Sequence, residues 1–295
     1  MGGTGLVGRA LVARLVAGGA RVLATARTLT AERALREAGA EALHTDIENI
    51  GNWSAEAAEA DLILHLGLPR LDPPLRAVGA RRRARRAAAG ARALARLAEG
   101  RPVVVASTGL VYGAATPPAC DGDPAPGGPL LARAALAAEA ELAGPATRVV
   151  RLPWIYGESG LVSDLIDGLR ARRYRIVGDG DNPWALLSAG DAAEALLAAA
   201  AAPPGVYTAA EEEIPTQAEV VGAICAVPGH PYPDHAPPGL AALALGGAMS
   251  RALAAPLSIR TGRLAERGWA PRDRWRRDLV SLAGGPRGES APASP

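Results

Sequence analysis

Length, composition and charge limit the class of protein that this chain can be. It has 295 residues, with 32 Lys and Arg, 30 Asp and Glu and a formal net charge of +2. That length suits one large α/β domain, or a main domain with a smaller lobe. The near balance of charge indicates neither a nucleic-acid surface nor an acidic partner. The basic residues are all arginine, and the chain has no lysine. The two cysteines, Cys120 and Cys225, are far apart in the sequence, and this favours a reducing compartment over a disulfide framework.

The chain begins with a glycine-rich turn, Gly-Gly-Thr-Gly-Leu-Val-Gly over residues 2–8, which leads into an amphipathic helical run. Glycine at positions 2, 5 and 8 lets the backbone turn sharply and approach a pyrophosphate without Cβ atoms in the way. The amides at the start of the helix then face the anion. The pattern predicts a dinucleotide phosphate site, formed by Gly2, Thr4, Gly5, Leu6, Val7 and Gly8.

The strand that normally precedes such a turn is almost absent. A typical strand has about five residues, and only Met1 stands before Gly2. In a doubly wound sheet that strand lies at the centre, so we expect the natural protein to begin several residues upstream with a short hydrophobic strand. A phosphate turn at residue 2 leaves no room for a secretory leader, and we therefore expect a cytoplasmic protein.

From residue 1 to about residue 150, short β-branched runs alternate with helical runs, a pattern typical of βα units and a parallel sheet. The first two helices end at glycines, in positions 18, 19 and 39, which suit a left-handed cap. The sequence therefore predicts a Rossmann-type, doubly wound α/β domain over residues 1–150 whose first strand is truncated. The strands are predicted at residues 21–25, 41–44, 61–66, 102–106 and 147–151.

Beyond residue 151, proline and glycine become frequent and helical runs dominate, at residues 160–172, 191–201 and 216–225. This predicts a smaller, mainly helical lobe over residues 151–283, interleaved with the first domain. The segment 284–295 consists of small and polar residues and is predicted to be a disordered tail. The apolar stretch 239–249 is too short to span a bilayer and favours a buried or lid helix.

An arginine run at residues 81–86, within a helical stretch over 75–98, is a candidate nucleic-acid patch. It lacks interleaved aromatic residues and lies in a chain of nearly neutral charge. A solvated or subunit-facing helix side is therefore the favoured interpretation. We expect no nucleic-acid partner and no membrane partner.

The order of further landmarks resembles the extended short-chain dehydrogenase/reductase family, which includes nucleotide-sugar epimerases and dehydratases. After the glycine turn come Leu-His-Leu-Gly at residues 64–67, Val-Val-Ala-Ser-Thr-Gly-Leu-Val-Tyr-Gly at 104–113 and Arg-Leu-Pro-Trp-Ile-Tyr-Gly at 151–157. The resemblance covers nearly the whole chain. It implies a domain that binds NAD or NADP, a lobe for a small-molecule substrate such as a sugar nucleotide or carbonyl compound, and a homodimer contact on the arginine-rich helix.

The resemblance also places cofactor contacts at the strand ends. Ala26 stands where NAD-preferring members carry an aspartate, and Arg27 could pair with a 2′-phosphate, which favours NADP; a surface arginine is an equally good interpretation. Asp46 and Ile47 resemble an adenine contact, although Asp46 also suits a helix N-cap. The other implied contacts are Leu66, Gly67 and Pro153.

By its position relative to Tyr112 and Gly113, Thr108 corresponds to the hydroxyl that hydrogen-bonds the substrate in this family. Tyr112 and Tyr156 are candidate acids. Both belong to Tyr-Gly loop motifs, whose rings usually pack, so a packing role competes with a catalytic one. His65 is interpreted as a core histidine, because no second ligand stands at metal spacing.

The family's tyrosine and lysine, four residues apart on one helix, are both missing. Alignment on the Leu-Ala-Ala-Glu segment ending at Glu139 places Leu131 in the tyrosine position and Ala135 in the lysine position. Arg133 lies on another side of the helix and cannot exchange its proton. A phenol with a pKa near 10 needs the neighbouring cation to act near neutral pH. Ordinary epimerase or ketoreductase turnover is therefore not expected.

Two functions follow from these observations. The first is an NAD(P)-binding protein of this family with oxidoreductase-type activity on a carbonyl or hydroxyl substrate, carried by residues other than the usual pair. The alternative is a non-catalytic NADP-binding module that regulates or contacts another protein. The intact phosphate turn agrees with both, and the loss of both catalytic side chains favours the second.

Overall fold

The computed structural model describes residues 1–45, 59–67, 76–98 and 100–285. Every strand pair formed within these ranges is parallel. The strands are β1 (Leu23–Ala26), β2 (Glu41–His44), β3 (Ile63–His65), β4 (Val103–Thr108), β5 (Thr147–Leu152), β6 (Trp154–Tyr156), β7 (Ile176–Val177), β8 (Leu186–Ser188), β9 (Gly205–Thr208) and β10 (His235–Ala236).

The helices alternate with the strands in the first half of the chain and dominate the second. A short 3-10 helix, Gly109–Tyr112, follows β4. The α-helices are α1 (Leu6–Ala17), α2 (Leu29–Glu37), α3 (Ala77–Ala98), α4 (Leu130–Leu142), α5 (Leu161–Arg170), α6 (Ala189–Ala200), α7 (Gln217–Cys225), α8 (Pro238–Leu245), α9 (Gly247–Ala254), α10 (Arg263–Glu266) and α11 (Trp275–Gly284).

The main sheet has the strand order β3-β4-β5-β9, and β1 pairs with β2 in a separate two-stranded sheet. The five strands predicted from the first part of the sequence are therefore present, with ends that differ by at most two residues. The strand β9 comes from beyond residue 151 and pairs with β5. The second part of the chain is thus interleaved with the first.

Alternate residues of the central strands face two different helical layers. Val104 of β4 and Val150 of β5 pack in one cluster with Leu11 of α1 and the alanines of α6. Val103 and Val105 pack in another with α3 and α4. The side-chain period of two in a strand produces this division, and helices on both faces of a parallel sheet define a doubly wound α/β fold.

The start of the chain enters between β1 and β3. The amine of Met1 donates to the carbonyl oxygen of Leu64 at 2.7 Å, and the amide of Leu66 donates to the carbonyl oxygen of Met1 at 3.0 Å. These two bonds form one parallel bridge centred on His65. On the β1 side, a Cβ atom added at Gly3 would lie 3.3 Å from the Cβ of Ala24. Among the described residues no strand separates β1 from β3. This agrees with the prediction from the sequence that the first strand is truncated.

The second part of the chain packs in an apolar cluster that includes Ile176, Trp184, Met249 and Trp275 and that also takes in Leu110, Leu131 and other residues of the first part. Two small parallel sheets, β6-β8 and β7-β10, lie within it. The predicted single helix at residues 239–249 is divided into α8 and α9, because Gly246 adopts a φ of +79° that breaks the helix.

Some predictions fall outside the described ranges: the adenine contact by Asp46 and Ile47, the first residue of the helical stretch predicted over 75–98, and most of the tail. Within the described ranges, no helix combines the length and apolarity that crossing a bilayer requires.

Candidate dinucleotide site

The glycine turn is closed by its own backbone. The amide of Gly5 donates to the carbonyl oxygen of Gly2 at 3.1 Å, and α1 begins at the next residue. A Cβ atom at Gly8 would lie 2.1 Å from that same carbonyl oxygen, and one at Gly2, whose φ is +80°, would lie 2.8 Å from the carbonyl oxygen of Leu66. Only glycine fits at positions 2 and 8, because the helix start, the turn and the end of β3 touch there.

The first turn of α1 is open to a ligand. Gly5 is the N-cap, and no side chain accepts a hydrogen bond from the first amides of the helix. These amides need an acceptor, and the positive end of the helix favours an anion. Gly2, Gly5, Gly8 and the amides of Leu6 and Val7 can therefore cradle a phosphate.

Three of the sequence-predicted residues lie at the carboxyl ends of adjacent strands. Gly67 follows β3, Thr108 ends β4, and Pro153 follows β5, with Thr108 paired to Leu152 in register. In an open parallel sheet this edge is where ligands bind. Arg27, which follows β1, is exposed and leaves its guanidinium accessible from solvent.

The hydroxyl groups of Thr108 and Tyr112, the two candidates from the sequence, differ in their hydrogen bonds. The Thr108 Oγ1 accepts a hydrogen bond from the amide of Leu110 at 3.2 Å, so its hydroxyl proton remains available. Tyr112 is buried, and its hydroxyl donates to the backbone carbonyl of Asp121. Burial raises the pKa of Tyr112 above its usual value. This engagement favours a packing role for the tyrosine ring.

Leu131 and Ala135 occupy the face of α4 that looks into the protein. They are 8% and 1% exposed, whereas Arg133 is on the solvent side. The side chains of Leu131 and Ala135 cannot donate or accept a proton. Arg133 is two residues from each of them, and residues at that spacing do not lie on the same face of a helix. The family's usual acid and its neighbouring cation therefore have no replacement on this helix face.

The register of α4 is fixed by a buried ion pair that sequence reasoning missed. Arg151 of β5 donates to both carboxylate oxygens of Glu139, at 3.2 and 2.8 Å, and Ser107 of β4 also donates to Glu139. The Arg151 guanidinium lies 4.9 Å from the centroid of the Tyr112 ring. The sequence signals for this pair were a carboxylate in an alanine-rich helix and an arginine in a valine-rich strand, although each element holds a second residue of the same type, Glu141 and Arg148.

A second polar cluster lies at the wall of a cavity of about 460 Å³ between α1, β6, α6 and α11. The Tyr156 hydroxyl lies 2.7 Å from Glu211 Oε1 and 3.2 Å from Asp278 Oδ2. Tyr156 and Asp278 line the cavity, and Glu211 lies behind them. No local sequence pattern indicates this contact, because the three residues are far apart in the chain.

These features define a parallel α/β protein with a phosphate-binding turn at the start of its first helix. The chain belongs to the NAD dependent epimerase/dehydratase family, whose model matches residues 1–210. No curated protein sequence matches the chain. The resemblance drawn from the sequence landmarks is thereby confirmed.

Solved structures of similar fold span almost the whole chain. Human epimerase family protein SDR39U1 (isoform 2) with NADPH is 20% identical, with 96% of this chain and 97% of that one covered and a TM-score of 0.78. MoeE5 in complex with UDP-glucuronic acid and NAD is 22% identical, with 96% of each chain covered and a TM-score of 0.78. UDP-glucose 4-epimerase from Thermotoga maritima with UDP-glucose is 18% identical, with 96% of each covered and a TM-score of 0.76. At these identities the likeness establishes the fold.

Proposed function

We propose that this protein binds NADP or NAD through the glycine turn and the open start of α1, and that it lacks the tyrosine and lysine proton transfer of its family. The observation that carries the proposal is the cradle at Gly2, Gly5 and Gly8, where any Cβ at positions 2 or 8 would fill the space. Neighbours of the same fold hold NADPH or NAD, which supports a dinucleotide as the ligand.

The substrate class that we propose is a small molecule with a carbonyl or hydroxyl group, such as a sugar nucleotide. Structural neighbours in complex with UDP-glucuronic acid and UDP-glucose support it. A bound nicotinamide nucleotide would supply hydride chemistry at this sheet edge. The Thr108 hydroxyl would donate a hydrogen bond to the substrate oxygen there, since its proton has no competing acceptor within the described hydrogen-bond network.

Loss of a general acid or base typically removes a factor of about 10² to 10⁴ in rate. Because Leu131 and Ala135 cannot transfer protons, we propose that binding is retained and that turnover is low. A non-catalytic NADP-binding module is the second candidate, and the buried apolar pair at these two positions is the observation that favours it.

Titration of NADPH and NADH separates these candidates. Melting temperature reports binding, and absorbance at the nicotinamide band reports turnover with sugar nucleotides and simple carbonyl compounds. Binding without turnover supports the module. Turnover that is lost on Thr108→Ala or Tyr112→Phe supports an enzyme with a substitute group. Absence of stabilisation by either nucleotide would overturn the cofactor proposal.

Gly8→Ala is expected to weaken binding of both nucleotides at least about tenfold, because the added Cβ would sit 2.1 Å from the Gly2 carbonyl oxygen and must displace the turn. The matched control is Gly222→Ala in α7, where a Cβ meets nothing within 4 Å. That control should bind normally and gain up to about 1 kcal/mol of stability. Equal nucleotide affinity in the two variants would exclude the turn as the site.

Arg27→Ala is expected to reduce NADPH affinity about tenfold or more while leaving NADH affinity unchanged, since a hydrogen bond to a charged group contributes about 1.5 to 3 kcal/mol. The exposed Arg33→Ala in α2 serves as the control for loss of one positive charge. Isothermal titration with both nucleotides measures the effect. A proportional loss for NADPH and NADH would mean that Arg27 does not contact the 2′-phosphate.

A further inference from the structure

The cluster of Tyr156, Glu211 and Asp278 contains more acceptors than hydrogens. The Tyr156 oxygen lies 2.7 Å from a Glu211 oxygen and 3.2 Å from an Asp278 oxygen. A phenol has one proton and can donate to only one of them. Two ionised carboxylates would therefore leave one close oxygen pair without a hydrogen. A proton on Glu211 resolves this, because Glu211 then donates to Tyr156 and Tyr156 donates to Asp278.

The surroundings of Glu211 favour that proton. Glu211 is 2% exposed, and its other oxygen accepts the amide of Trp275 at 2.8 Å. Burial, with added repulsion from Asp191 of α6 and Asp278 of α11, raises the pKa of Glu211 to about 7, against the opposing hydrogen bonds from Trp275 and Tyr156. Asp278 brings a positive charge to the edge of the cluster, because it accepts from Arg277 at 2.7 Å.

The partners of Glu211 belong to different elements. Tyr156 ends β6, whereas Trp275 and Asp278 are in the first turn of α11. Two further contacts hold the chain just before α11, where the amides of Arg272 and Asp273 donate to Asp191. The wall of the cavity opposite α1 is formed by α11 residues, Asp278, Ser281 and Leu282. Glu211 is therefore a buried polar link between α11 and β6 at this cavity, beside the apolar packing of Trp275 and Leu279.

We propose that protonation of Glu211 controls how firmly helix α11 is held against β6, and with it the width of the cavity between α11 and α1. With the proton present, the chain from Glu211 through Tyr156 to Asp278 is complete. Without it, the buried cluster carries two negative charges with one shared hydrogen, and separation of α11 relieves the repulsion. This switch is inferred from the contacts of the cluster and not from nucleotide binding.

The direction of the pH effect follows from linkage. When α11 separates, Glu211 is hydrated and its pKa returns to the ordinary range near 4.3. The state in which α11 packs against β6 then binds more protons than the open state between about pH 4.5 and 7. The equilibrium constant for opening should rise about tenfold per pH unit across that window and level off above it. Helix α11 is therefore held most firmly against β6 in acid and least firmly at and above neutral pH.

Hydrogen–deuterium exchange of the full chain without nucleotide tests the proposal. We expect the opening constant of α11 peptides, corrected for intrinsic exchange, to rise about 100-fold from pH 5 to pH 7.5. Peptides from β4 and β5 provide the reference within the same sample. Glu211→Gln, which keeps a donor toward Tyr156, should abolish the rise, and Glu212→Gln at the exposed neighbouring position should retain it.

Asp278→Asn is a second variant at a partly exposed position. It removes the competing carboxylate, so Tyr156 can donate to ionised Glu211, and the rise should be smaller than in the wild type, with burial of Glu211 still contributing. An α11 opening constant that does not change with pH in the wild type overturns the proposal. So does an undiminished rise in either Glu211→Gln or Asp278→Asn. Because no nucleotide is present, these outcomes do not depend on whether the cofactor proposal holds.

Discussion

Glu139→Ala is expected to destabilise the protein by about 3 to 5 kcal/mol, because it leaves the buried Arg151 guanidinium without its anion. The side chains of Arg151 and Glu139 are 8% and 10% exposed, and they are joined by two hydrogen bonds. Removal of Glu139 also deprives Ser107 of its acceptor. Unfolding in urea, followed by circular dichroism, measures the change.

Two variants separate the ion pair from simple loss of side-chain packing. Glu141→Ala, two residues along the same helix, removes the surface pair with Arg92 and should leave the unfolding midpoint almost unchanged. The double variant Glu139→Ala with Arg151→Met removes both charges and should recover much of the stability lost in Glu139→Ala alone. A double variant as unstable as the single one would mean that the charge left behind on Arg151 is not the cause.

This ion pair also bears on function. Glu139 is eight residues beyond Leu131 on α4, so the pair with Arg151 anchors the helix whose buried residues Leu131 and Ala135 pack in the apolar cluster that includes Leu110 and Val111. Their burial is consequently a fixed feature of the fold rather than the result of a shifted helix. On the proposed alignment, Tyr at position 131 and Lys at position 135 are the substitutions that would restore the family's pair.

The parallel sheet was predictable from the sequence because its strands are short β-branched runs between helices that end at glycines. The same holds for the phosphate turn, in which Gly2, Gly5 and Gly8 are adjacent in the chain and each has a local geometric reason. Local patterns such as these carry their own structural meaning.

The polar contacts were not predictable in the same way. Glu211 meets Tyr156 and Asp278 only after β6, β8 and α11 assemble. In the sequence, Glu211 and Asp278 lie 55 and 122 positions from Tyr156. No local pattern encodes such a meeting. The division of the 239–249 segment was missed for a different reason, since its apolar residues suggested continuity and the φ of Gly246 decided the break.

An N-terminal extension of five residues drawn from Val, Ile and Thr, placed before Met1, is expected to stabilise the protein by at least about 3 kcal/mol. The edges of β1 and β3 face each other without a strand between them, and Met1 already makes one parallel bridge to β3. A strand in this place would pair with both edges, and each buried polar group that gains a partner avoids a cost of about 1 to 3 kcal/mol.

The extension also removes a buried charge. Burial lowers the pKa of the Met1 amine from 8.0 to about 6, so the unfolded chain binds more protons than the folded chain between these values. The stability of the unextended protein should therefore rise from pH 6 to pH 8 through this group, by on the order of 2 kcal/mol. Any extension converts the Met1 amine into a peptide amide, which does not titrate. The gain in the free energy of unfolding from an extension should therefore be larger at pH 6 than at pH 8.

A Gly and Ser extension of equal length is the matched control, with retention of Met1 in the unextended chain verified by intact mass. It removes the amine but has little preference for a strand, so it should reproduce the pH-dependent part of the gain alone. Urea unfolding at pH 6 and pH 8 distinguishes the two contributions. If the two extensions stabilise equally at pH 8, where the amine is already neutral, strand pairing between β1 and β3 is not the source of the gain.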